Sequence, residues 1–195
     1  MKYDSPETII AALKQGDFII VFDEHREKEG DFFLLAEKVT PQKINFLFQN
    51  AKGMICVPCG KEIIKKFDIP LMIKENSNLF HTNFCVSVDA TEEITTGVSA
   101  SDRTKTIQTL CNPSATSKDL VMPGHTFPLL AQEDNGRFGH TEAGVKLARI
   151  LGQSPAMIVG EILNTEGEIA SLEELFHLSQ QHGIPITTLE AIKTM

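Results

Sequence analysis

The chain has 195 residues with 18 basic and 26 acidic side chains, a formal net charge of −8, and no basic run. That balance argues against nucleic acid or an anionic membrane as a partner. No apolar run reaches membrane-span length and residues 1–6 lack the apolar core of a secretion signal, so the expectation is one cytoplasmic domain, residues 1–195.

In chain order, Ser5 is placed to cap a first helix, with Pro6 at its first position, Ile9, Ile10 and Leu13 on one face, and Gly16 at its end. Residues 18–22 form an apolar run that reads as a buried strand. The stretch Asp23-Glu24-His25-Arg26-Glu27-Lys28-Glu29-Gly30-Asp31 then sets five carboxylates ahead of a second strand, expected over residues 32–37. Clustered carboxylates repel one another, and a hard cation relieves that repulsion. An EF-hand loop does not fit, because Lys28 stands where that loop needs its glycine. Magnesium fits better, since one or two carboxylates suffice beside water and substrate oxygens.

Thr40-Pro41 opens a helix carrying Ile44, Leu47 and Phe48, residues 54–57 read as a short buried strand, and residues 61–67 as a helix. Of the four cysteines only Cys56 and Cys59 have metal spacing, and Cys85 and Cys111 supply no second close pair, so reduced thiols are expected. Residues 69–83 read as a loop and 84–88 as a strand. Ser99 can cap a helix over 100–110. Pro123-Gly124-His125 precedes an apolar run, residues 127–131, and a polar turn follows. Helices over 140–151 and after the capping box Ser171/Glu174 flank a buried strand, 157–162, and a short strand with a final helical turn ends the chain. The irregular interleaving of strands and helices predicts an α+β domain of mixed α/β layers.

Three features besides the acid loop suggest chemistry. Hydroxyls, a glycine and a helix start in Thr95-Thr96-Gly97-Val98-Ser99 could cradle a phosphate on free backbone N–H groups, although ordinary capping explains them too. Arg137 can grip a phosphate in bidentate fashion, and His140, at a helix start where the dipole disfavours its protonated form, is a candidate metal ligand or simply a surface cap. His125 and Glu161 are isolated polar residues in apolar company. A carboxylate within a buried strand is costly unless paired, coordinated or protonated, which marks Glu161 for a structural ion pair or for proton transfer.

Taken together these motifs resemble the 3,4-dihydroxy-2-butanone-4-phosphate synthases of riboflavin biosynthesis, nearly end to end. The resemblance is carried by Asp23 with Arg26-Glu27-Lys28-Glu29-Gly30-Asp31, Thr95-Thr96-Gly97-Val98-Ser99-Ala100 with Asp102-Arg103, Pro123-Gly124-His125, Gly139-His140-Thr141-Glu142, and Glu161-Ile162 with Asn164. It implies a lyase that converts D-ribulose 5-phosphate to formate and L-3,4-dihydroxy-2-butanone 4-phosphate. It also implies two Mg2+ (or Mn2+) ions per site, and a homodimer with shared active sites in which the acid loop of one subunit faces His140 of the other. Glu27 and His140 would bind metal; His125, Glu161, Glu29 and Cys56 would serve catalysis. Arg26, Glu27, Asp31, Thr95, Thr96, Arg137, Gly139, His140, Thr141 and Glu161 would hold the substrate. The chain departs from the family in Lys28, where asparagine is usual, and in a shorter turn over 132–137, and it shows no fused cyclohydrolase domain. Those departures keep open a divergent paralogue acting on a related sugar phosphate, and the acid loop alone would suit a non-enzymatic divalent-cation-binding module.

Overall fold

The computed structural model describes residues 2–132 and 136–195. Helix α1 (Pro6–Gln15) starts at the expected cap, Ser5 accepting the N–H of Thr8 at 3.4 Å, and buries Ile9 and Leu13. Strands β1 (Ile19–Phe22) and β2 (Gly30–Leu35) follow, then α2 (Pro41–Asn50), β3 (Lys52–Cys59), α3 (Lys61–Lys66), β4 (Asn83–Phe84), β5 (Val88–Ala90) and α4 (Ala100–Cys111). The chain continues through β6 (Leu120–Leu130), α5 (His140–Ile150), β7 (Met157–Ile162), α6 (Leu172–His182), β8 (Ile186–Thr188) and α7 (Leu189–Thr194). Among the described residues no helix is long and apolar enough to cross a membrane.

The strands form one mixed sheet in the order β4-β6-β3-β7-β2-β1-β8, with β5 pairing β6 off this path. Neighbours are antiparallel except β3 with β6 and β1 with β8. Every residue of β1 and β2 is buried. That is why residues 19–22 and 32–35 read as continuous apolar runs instead of alternating ones: helices cover both faces of the sheet. Ile20, Phe22, Phe32, Leu34 and Ile158 face a core closed by α2, α3, α4 and α6. Ile19, Val21, Phe33, Leu35 and Met157 face a second core closed by α1, α5 and α7. The result is the layered α+β domain that the element pattern predicts.

Three expected boundaries shift. The second strand stops at Leu35, and Glu37 sits in a 3-10 turn where its carboxylate accepts the N–H of Ser154 at 2.6 Å. The strand expected over 84–88 is broken in two: Cys85 N still reaches Pro128 O of β6 at 3.0 Å, but Val86 donates to Pro70 O at 2.9 Å before β5 begins at Val88. Pro123-Gly124-His125 does not merely precede the apolar run of 127–131 but shares one strand, β6, with most of it. The pairing with β5 jumps there, Val88 facing Thr126 but Asp89 facing Val121, so the intervening residues bulge and the proline needs no ladder partner.

Candidate active site

The acid loop is organised by its first residue. The buried Asp23 carboxylate accepts the backbone N–H groups of His25, Arg26 and Glu27 at 2.9, 3.0 and 3.2 Å, and Asp23 N donates to Glu29 O at 2.9 Å. Burial pushes this carboxyl up, but the three donors outweigh it and hold it below its usual value. The loop then feeds β2 so that Glu27, Glu29 and Asp31, at period two, line one cavity of about 170 Å3. Lys28, between them, is exposed and left-handed at φ 54, a conformation that asparagine tolerates better than lysine. It is not among the residues that line the cavity.

His140 enters the cavity from the first turn of α5. It is buried, with Nδ1 at 3.1 Å from Glu27 Oε2 and 4.0 Å from Asp31 Oδ2, while Nε2 lies 3.2 Å from Val21 O. The expectation that the acid loop and His140 come from different subunits is therefore overturned: they meet within one chain. Burial and the helix dipole disfavour the imidazolium, yet Asp31 and Glu27 outweigh burial and push His140 up to about 9. Burial, with Asp31 and Glu27 beside it, pushes Glu29 up to about 8; burial likewise lifts Asp31 to about 6 against the pull of His140.

Glu161 stands on β7 directly across from Asp31. It is half-buried, not shielded as its apolar neighbours suggest, and its Oε2 accepts the N–H of Met54 at 3.0 Å. Alternation explains the difference: Val159 and Glu161 point to the same side of β7, and near the strand's end that side meets the cavity instead of the core. Cys56 is buried in the cavity wall, where burial and then Glu161 and Asp31 push its thiol far above the usual range, which disfavours the thiolate. A wider groove of about 670 Å3 lies between α2 and α6, but it contains none of the expected site residues. The ionisable groups converge in the smaller cavity, the arrangement typical of functional sites.

These groups suit a divalent cation. Glu27, Glu29 and His140 each offer a ligand atom within 4.8 Å of the others, which adds Glu29 to the two expected ligands. Asp31 Oδ1 is buried without a partner, and Nε2–H donation to Val21 O would present Nδ1 to a metal in a fixed orientation. Three neighbouring groups hold protons above their unfolded pKa values, so the folded chain binds more protons than the unfolded one. The stability they contribute is full below the unfolded values and is lost as pH rises through about 6, 8 and 9. Asp23 and Glu27, held low, have the opposite sign but act only at acidic pH. The melting temperature in a chelator should thus fall between about pH 5 and 9, and millimolar Mg2+ should restore most of the loss at the alkaline end.

Arg137 lies beside this cavity, held by partners the sequence did not suggest. Its Nη1 reaches both Glu142 oxygens at 2.6 and 2.5 Å, Nε donates to Phe80 O at 2.9 Å, and Nη2 donates to Thr82 Oγ1 at 2.9 Å. Glu142 also accepts the N–H groups of Gln132 and Gly139, both at 3.0 Å. This buried pair ties the loop read as featureless, 69–83, to the start of α5. Glu142→Ala should cost about 3–5 kcal/mol in thermal or urea denaturation, the loss expected when one member of a buried ion pair is removed. Arg26, more exposed, sits 5.5 Å over the Phe80 ring and borders an open groove of about 620 Å3 with Arg137, His81 and Lys193. Thr141 lines the acid cavity. Residues 133–135 of the turn expected over 132–137 lie outside the described residues.

The remaining expected residues lie apart from this cavity. The Thr95-Thr96-Gly97 loop does not offer its N–H groups to a ligand: Thr95 N and Gly97 N each donate to the Asp102 carboxylate at 3.0 Å, and Thr95 Oγ1 at 2.7 Å. Those donors hold Asp102 down to about 2. The anion in this cradle is thus the chain's own. Thr96 is exposed. His125 packs beside that loop and hydrogen-bonds Asp89, not any group of the acid cavity.

Fold and site together define a mixed-sheet α+β domain whose acid–histidine cavity offers the ligand set of a divalent cation. Residues 7–195 match the family model described as 3,4-dihydroxy-2-butanone 4-phosphate synthase, and the chain belongs to this family. It is 44% identical over 193 residues to a 3,4-dihydroxy-2-butanone 4-phosphate synthase of Neisseria meningitidis, covering 97% of this chain and 53% of that protein. It is 40% identical to the riboflavin biosynthesis protein RibBA of Staphylococcus aureus, of which it covers 49%. The chain thus spans about half the length of the curated relatives it matches. A solved structure described as the synthase in complex with two magnesium ions is 34% identical, with a TM-score of 0.91 over 97% of this chain and 95% of that one. The synthase of Candida albicans superposes with a TM-score of 0.89 at 34% identity, covering 100% and 98%.

Proposed function

We propose that this chain is a lyase of riboflavin biosynthesis that converts D-ribulose 5-phosphate to L-3,4-dihydroxy-2-butanone 4-phosphate and formate. The observation that carries this reading is the convergence of Glu27, Glu29, Asp31, Glu161 and His140 on one cavity, in a member of the synthase family. Glu27, Glu29 and His140 would hold Mg2+ (or Mn2+), two ions per site in keeping with the magnesium-bound relative. Bound metal would polarise adjacent substrate oxygens and stabilise the charge of an enediolate.

The chain's own groups do the rest. Glu29, which burial pushes up to about 8 in the metal-free chain, would give up its proton on binding the cation. Glu161, across from Asp31, serves as the proton carrier of the cavity, and Cys56 contributes an uncharged wall. Arg26 stands at the rim of the open groove, where the phosphate end rests with help from Arg137, Gly139 and Thr141 around the first turn of α5. The reaction is cytoplasmic, and its acid cavity is built from one chain.

The active unit is a homodimer. His125 and the Thr95-Thr96 loop do not line the acid cavity of their own chain, so we place them in the site of the neighbouring subunit. Mixing Glu27→Gln with His125→Ala protein under subunit exchange tests this. A shared site predicts recovery to about a quarter of wild-type activity, since half the dimers are mixed and each has one intact site. No recovery with proven exchange contradicts it. Lys28 in place of asparagine leaves a second reading, a paralogue acting on a related sugar phosphate. A panel of pentose and pentulose phosphates separates the two, because the synthase releases formate from ribulose 5-phosphate in preference to the others.

A further inference from the structure

His125 has a partner that no local motif indicates. Asp89 on β5 places Oδ2 at 2.7 Å from His125 Nδ1 and accepts the backbone N–H of His125 on Oδ1 at 2.9 Å. The carboxylate is buried, whereas the imidazole is 43% exposed and its Nε2 has no hydrogen-bond partner in the described structure. Two glycines permit the approach. A Cβ on Gly97, which adopts φ +90, would lie 2.1 Å from Asp89 Oδ2 and 2.6 Å from His125 Nδ1. One on Gly124 would lie 2.4 Å from Asp89 N, so the β6 bulge presses directly onto β5. Asp102 on α4 then pins the 95–97 loop over the pair.

We propose that Asp89 is the positioning residue of His125, fixing the imidazole in its Nδ1–H tautomer and leaving Nε2 as the proton acceptor. A carboxylate oxygen accepts, so Nδ1 must carry the hydrogen. When Nε2 takes a proton from substrate, the imidazolium forms against the Asp89 carboxylate, and the proton is returned from Nε2 at a later step. The proposal rests on His125 being catalytic in the reaction above, but the tautomer stands apart from that reading and can be measured separately.

Asp89→Asn is the informative variant. The backbone N–H of His125 fixes one end of the side chain, so the amide oxygen stays on that donor and the amide nitrogen faces Nδ1. An N–H donor there favours the opposite tautomer, Nε2–H, in otherwise intact geometry. The same logic applies to the aspartate of serine-protease triads. We expect nitrogen-15 spectra of His125 to show Nδ1–H in the wild type and Nε2–H in Asp89→Asn. We expect turnover to fall by about 100-fold or more, with KM changed little, because substrate contacts remain. Asp89→Ser, which keeps a small polar side chain, guards against a folding defect and should also lose turnover with KM held. A wild-type Nε2–H tautomer overturns the proposal, as does Asp89→Asn with a flipped tautomer and normal turnover. If the wild type releases no formate, the functional reading fails while the spectra still decide the tautomer.

Discussion

Glu27→Gln should reduce formate production by at least about 100-fold and weaken magnesium binding to a similar degree while leaving the fold intact. Its Oε2 lies 3.1 Å from His140 Nδ1, and it belongs to the one group of potential ligands found among the described residues. The amide is nearly isosteric, so the half-buried side chain loses little packing. What changes is charge: a hard dication binds carboxylate oxygen far better than amide oxygen, and even outer-shell substitutions cost 10–100-fold in affinity. His140 also loses one of the charges that push it up to about 9, so its proton is released more readily in the variant. Calorimetric titration with Mg2+ separates the two consequences. Full activity at limiting magnesium would refute the assignment.

Glu161→Gln should lower kcat by two orders of magnitude or more, the scale of losing a general acid or base. Its expected effect on stability is small for a specific reason. Oε2 accepts the Met54 N–H at 3.0 Å, and an amide oxygen can accept the same bond, so the seam between β3 and β7 survives. Removing a carboxylate across from Asp31 also relieves like-charge repulsion, because Glu161 helps to push Asp31 up. The melting temperature should therefore hold or rise slightly as turnover collapses. Near-normal kcat would remove Glu161 from the mechanism, and a large fall in melting temperature would show that its role is structural.

Much of this architecture is legible in the residues. Ser5-Pro6, Thr40-Pro41 and Ser171 with Glu174 mark helix starts by local chemistry, and all three cap as expected. The apolar runs over residues 19–22 and 32–35 report burial on both faces. What is not legible is who meets whom across the sheet. Glu27 and His140 are 113 positions apart, and Arg137 reaches Phe80 across 57, so neither contact leaves a local pattern. The broken edge between β4 and β5 and the bulge in β6 depend on register, which periodicity does not encode. The Thr95-Thr96-Gly97 loop has the composition of an anion cradle, and only the fold places the Asp102 carboxylate inside it. Motif resemblance named Glu27, Glu29, Asp31, Glu161 and His140, which the fold brings to one cavity, but also His125, which lies apart, and it divided the acid loop and His140 between two subunits.

The most direct test is to incubate the purified chain with ribulose 5-phosphate, with Mg2+ or with a chelator, and to measure formate. The account predicts formate in equal amount to the four-carbon phosphate product when Mg2+ is present, and none with the chelator. A folded, magnesium-binding chain that releases no formate from ribulose 5-phosphate would contradict it.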